Sequence, residues 1–129
     1  MSVTSYLVTN CRVENENYIT GSKTITGDTA QIVSDTIPAN TTNAVTSVLP
    51  FAYNKCELIY MSSDMDLTVL IANAGGNTTV NLTADEPFCW ANDTGIDNPF
   101  GANNVTGVTA TNANLTVNAV LTARILTVA

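Results

Sequence analysis

The stretch Glu57-Leu58-Ile59-Tyr60-Met61-Ser62-Ser63-Asp64-Met65-Asp66-Leu67-Thr68-Val69-Leu70-Ile71-Ala72-Asn73-Ala74-Gly75-Gly76-Asn77-Thr78-Thr79-Val80-Asn81-Leu82 decides the fold. Glu57 to Met61 and Leu67 to Ala72 are apolar runs of strand length, rich in β-branched and aromatic residues and too short for helices. Ser62-Ser63-Asp64 between them reads as a turn or bulge. Asn73-Ala74-Gly75-Gly76-Asn77 is a strong hairpin signal, and Thr79 to Leu82 returns from it as the partner strand. No Lys-Ser or Lys-Thr follows the glycine pair, so it is not a phosphate-binding loop.

The same grammar extends outward in both directions. Val3 to Val8, Tyr18 to Thr26 and Gln31 to Ile37 precede the central stretch as strands, and Pro38-Ala39-Asn40 is a turn leading towards Val45 and Pro50. Gly21 and Gly27 mark a bulge and a turn. Phe88 to Trp90 and Val105 to Thr111 follow. The final strand is read from Leu115 to Leu126, with Leu115, Val117, Ala119, Leu121, Ala123 and Ile125 on one apolar face. About nine short strands punctuated by Gly, Pro and Asn predict an all-β fold, a single-domain antiparallel β-sandwich of jelly-roll type. Residues 1–129 are read as one such domain, with 1–28 as an N-terminal edge or arm.

Composition narrows the function. Eleven acidic residues stand against four basic ones, for a net charge of −7. Arg12, Lys23, Lys55 and Arg124 cannot form the basic stripe that nucleic acid or an anionic membrane surface requires. No apolar run approaches the ~18 residues of a membrane-spanning helix, and the first residues carry no basic region of a signal peptide. Histidine is absent. That removes the commonest general base and the commonest transition-metal ligand, so neither catalytic centre, metal site nor cofactor is expected. Cys11, Cys56 and Cys89 are odd in number and far apart, and all three are read as reduced, small apolar residues of a protein made in a reducing cytoplasm.

Three constellations invite chemistry. Asp64-Met65-Asp66 has two of a calcium site's carboxylates but lacks the Gly and distal Glu of a calcium loop, so a turn capped by Asp is the preferred reading. Asp85-Glu86, Asp93 and Asp97 flank Trp90, as in a glycosidase or sugar-binding surface; the preferred reading places Trp90 in the core and the acids in solvated turns. From Asn98 to Ala129 the only ionisable side chain is Arg124. Charge depletion with retained hydrogen-bonding groups is the composition of an interface core. Phe100, in an Asn-Pro-Phe-Gly loop, together with Val105, Val108 and Arg124, is therefore read as the contact surface.

Residues 30 to 128 also carry a resemblance. Ile37-Pro38-Ala39-Asn40-Thr41-Thr42, Ser63-Asp64-Met65-Asp66-Leu67-Thr68, Pro87-Phe88-Cys89-Trp90, Asn98-Pro99-Phe100, Val105-Thr106-Gly107-Val108 and Leu115 to Leu126 with Arg124 resemble, in order and spacing, capsid decoration (cement) proteins of tailed phages. The resemblance implies a non-enzymatic virion protein on the capsid surface, made in the host cytoplasm. Its implied partner is the major capsid protein, and it is expected to bind as a homo-oligomer, trimer or dimer. Two other classes stay open: another virion β-domain, such as a tail-tube, head-fibre or baseplate component, and a carbohydrate-binding module.

Overall fold

The computed structural model describes residues 4–9, 12–13, 16–17, 22–92 and 98–128, with side chains from Gly27 onward. Its strands are β1 (Thr4–Thr9), β2 (Arg12–Val13), β3 (Glu16–Asn17), β4 (Ser22–Gly27), β5 (Thr29–Ile37), β6 (Thr41–Val45), β7 (Cys56–Ser63), β8 (Leu67–Asn73), β9 (Gly76–Leu82), β10 (Phe88–Ala91), β11 (Val105–Asn112) and β12 (Ala119–Thr127). One 3-10 turn, Tyr53–Lys55, is the sole helical element among the described residues.

Strands β5 to β12 form an antiparallel jelly roll. A six-stranded sheet runs β3-β2-β10-β7-β12-β5, a four-stranded sheet runs β6-β11-β8-β9, and β1 pairs with β4 as a separate ribbon. The roll is one long hairpin wrapped on itself. Its tip is the β8–β9 turn, where Asn73 faces Gly76 across Ala74-Gly75. Away from the tip, Leu67 faces Leu82, Met61 faces Phe88, Ala44 faces Ala110 and Ile37 faces Ala119. Paired residues thus stay nearly equidistant from the turn. Gly76 has φ of 125°, a backbone that L side chains rarely adopt, and the Asn73 carboxamide oxygen accepts the Gly75 N–H at 3.0 Å.

Alternation puts one residue in two into the space between the sheets. Val33 and Ile37, Ile59 and Met61, Val69 and Ile71, Phe88 and Trp90, Leu121, Ala123 and Ile125 share this core. Each large side chain buried there contributes about 1.5–3 kcal/mol. The interior face expected for β12 is correct from Ala119 onward. Leu115 and Val117, assigned to the same strand, instead lie exposed in the β11–β12 loop. Asn114 bends that loop by accepting the N–H groups of Thr116 and Val117. Strand β6 was not expected at all, and it carries Asn43 at φ of 53°.

A smaller apolar cluster lies on the outer face of the six-stranded sheet, made of Leu58, Cys89, Ala91 and Leu126. Strand β4 runs against β7 and β12 at this end. Gly27 closes the approach, since a Cβ there would stand 2.6 Å from Leu126 Cγ and 2.8 Å from the Thr127 carbonyl oxygen. Its glycine serves close packing as well as its place at the β4–β5 connection, where the chain bends at Asp28.

Candidate functional site

Three of the four expected contact residues are core residues. Phe100, Val105 and Val108 are all buried between the sheets. The Asn98 side chain accepts the Phe100 N–H at 2.9 Å and Gly101 takes φ of 61°, which turns the loop inward. Phe100 then meets Phe51 edge-on, with ring centroids 5.9 Å apart. That contact within the chain accounts for a large apolar side chain in a polar loop, and none of the three is offered to a partner. Arg124 is exposed, on the outer face of the six-stranded sheet between Ile32 of β5 and Tyr60 of β7.

The acidic pair is structural. Asp64 accepts the Val120 N–H and Asp66 the Ala84 N–H, both at 2.8 Å, so each carboxylate joins its turn to a distant segment. Among the described residues no three His, Cys, Asp or Glu side chains cluster as metal ligands. Trp90 is buried among core side chains. Asp93 and Asp97 lie outside the described residues.

Of the cysteines, Cys89 is disulfide-bonded and Cys56 is free and buried. The expectation of reduced thiols is corrected at Cys89; Cys11 lies outside the described residues. Burial pushes the Cys56 thiol from its ordinary 9.0 up to about 12; the Glu57 carboxylate adds to the rise, and a backbone hydrogen bond at Leu58 opposes it. Such a thiol is not a nucleophile near neutrality. Below pH 9 it is protonated in both folded and unfolded chains and makes no difference to stability. Above pH 9 only the unfolded thiol ionises, so stability should fall by about 1.4 kcal/mol per pH unit until about 12. Urea titrations at pH 8 and 10.5, compared with Cys56→Ala, measure this slope; equal pH dependence of the two proteins would refute it. In the same samples Cys56 should react with Ellman's reagent only on unfolding, and Cys89 only after reduction.

The two outward faces of the sandwich differ in charge. None of β6 (TTNAV), β8 (LTVLIAN), β9 (GNTTVNL) and β11 (VTGVTATN) carries an ionisable side chain. The register places Val45, Thr109, Leu70 and Thr79 in one row across the outer face of this sheet, and Thr111, Thr68 and Asn81 in the next. Val45 is 85% exposed. Its edge strands have neither lysine nor proline, the usual guards against pairing with another chain. The depletion of charge noticed along the last third of the sequence is thus a property of a whole sheet.

The outer face of the six-stranded sheet is graded along its strands. Ala30, Leu126, Leu58 and Ala91 form an apolar row, and Ser34, Thr122 and Ser62 form a hydroxyl row four residues along, with Ile32, Arg124 and Tyr60 in the row between. At the hydroxyl end a shallow groove of about 420 Å³ opens between Tyr60, Ser62, Thr122, Val120, Asp64 and Asp85. Searches for relatives returned no matching family model, curated protein or solved structure.

Proposed function

We propose that this protein is a non-enzymatic structural subunit, a phage capsid decoration protein in type, which docks on the outside of a protein shell through its four-stranded sheet. The observation that supports this most is the charge-free outer face of β6, β11, β8 and β9 in a chain of net charge −7. Interface cores are depleted of charge yet keep hydrogen-bonding groups, and Thr68, Thr79, Asn81 and Thr111 supply such groups around Val45 and Leu70. Acidic residues elsewhere disfavour docking by other faces onto an acidic neighbour and keep the free subunit soluble. The major capsid protein is the partner implied by the resemblance. Linking two or three copies, a trimer before a dimer, multiplies a modest contact into firm attachment.

The test is to purify particles that carry the chain and measure its copies per shell subunit by quantitative mass spectrometry. Thr79→Glu or Val45→Glu should bury an unpaired charge in the contact and weaken attachment about a hundredfold or more. Thr36→Glu, the same change on the opposite sheet, should leave attachment as it was, and all three should melt near the wild type. Retention of the Thr79 and Val45 variants on particles, or a wild-type chain found only as free monomer, refutes the reading.

A further inference from the structure

We infer that the groove on the six-stranded sheet is a binding site for a neutral saccharide, on the face opposite the proposed docking sheet and independent of it. Tyr60 and Ser62 project from β7 into the groove, and Thr122 of β12 stands directly opposite Ser62. Asp85 enters from the β9–β10 turn, held there by its N–H bond to the Ser63 carbonyl at 2.8 Å and by a left-handed backbone with φ of 62°. Asp64 forms part of the wall and is already engaged with the Val120 N–H.

What singles the groove out is polar capacity left unused. Among the described residues the Tyr60 phenol, the Ser62 and Thr122 hydroxyls and the Asp85 carboxylate make no hydrogen bond or ion pair. Three of these groups both donate and accept, while the ionised carboxylate only accepts, with two oxygens able to take a pair of adjacent hydroxyl donors. The Tyr60 ring adds an apolar face ending in a polar tip. A pyranose presents the complement: vicinal hydroxyls on its rim and C–H groups on its face. The volume, about 420 Å³, falls in the range of small-molecule sites. Anionic ligands are disfavoured by the two carboxylates and by the net charge of −7. A cationic peptide would pair with Asp85 but leave the three hydroxyl groups without a role.

The test applies the full chain to an array of neutral glucose, mannose, galactose and N-acetylglucosamine oligomers, with sialylated and sulfated glycans and oligolysine beside them. Amide shifts are then followed by NMR with the best-bound sugar. Neutral glycans should bind and anionic ones should not, with shifts centred on Tyr60, Ser62, Thr122 and Asp85. Asp85→Asn keeps a residue that tolerates the left-handed backbone and removes only the charge; it and Tyr60→Ala should each weaken binding about tenfold or more. Both should melt as the wild type does, and Thr79→Glu on the other sheet should bind sugar normally. Failure of every neutral glycan to bind, sugar binding indifferent to both groove variants, or tighter binding of oligolysine that salt abolishes would each overturn the assignment, whatever becomes of the docking sheet.

Discussion

Replacing Asn112 with leucine should lower the unfolding free energy by about 3 kcal/mol or more, although the two side chains share the same branching and the same number of heavy atoms. Asn112 is fully buried at the end of β11. Its amide nitrogen donates to the carbonyl oxygens of Ile37 at 3.1 Å and Val117 at 2.9 Å, and its oxygen accepts the Asn114 N–H at 3.0 Å. One side chain thereby closes the end of β5, the end of β11 and the loop leading to β12. Leucine would fill the space and leave two carbonyls and one N–H without partners, each costing about 1–3 kcal/mol when buried. Asn112→Asp should fare no better, because it loses both donors and buries a charge. Urea unfolding gives the answer. A leucine variant within 1 kcal/mol of the wild type would mean that water takes over the three bonds.

The largest loss is expected at Trp90. It is 3% exposed and faces Ile59 across the β10–β7 pair, in the middle of the six-stranded sheet. Trp90→Ala should cost about 3–5 kcal/mol through lost burial and the cavity left behind, a large share of the ~5–15 kcal/mol that holds a typical domain together. Trp90→Phe should cost clearly less, since most of the volume remains. Denaturant titration of the two variants tests the order, and acrylamide should quench the native indole poorly. An alanine variant as stable as the phenylalanine one would place Trp90 outside the load of the core.

Much of this architecture is readable from residue patterns. The β8–β9 hairpin follows from Asn73 to Asn77, and the alternation of Leu121, Ala123 and Ile125 follows from period two. Other features depend on residues far away in sequence. Thr41 to Val45 shows no apolar alternation, because β6 is held by pairing with β11 and not by its own side chains. Leu115 and Val117 keep the alternating phase of β12, yet the hydrogen bonds of Asn112 and Asn114 fold them into a loop. Phe100 looks like a surface anchor until Phe51 is seen beside it. The groove was not legible at all: Tyr60, Asp85 and Thr122 come from three separate segments, and only the pairing of β7 with β12 and the turn before β10 brings them together.

The wrapped hairpin also sets the order in which a ribosome can deliver a sheet. In the six-stranded sheet β12 lies between β5 and β7, pairing with both. The two outer neighbours are synthesised long before the strand that joins them. At roughly 5–20 residues per second, several seconds pass between the emergence of Ser63 and that of Ala119. Throughout that interval Val33, Ile37, Ile59 and Met61 have no β12 against which to align, and the nascent chain carries two open strand edges that only its own later residues can close.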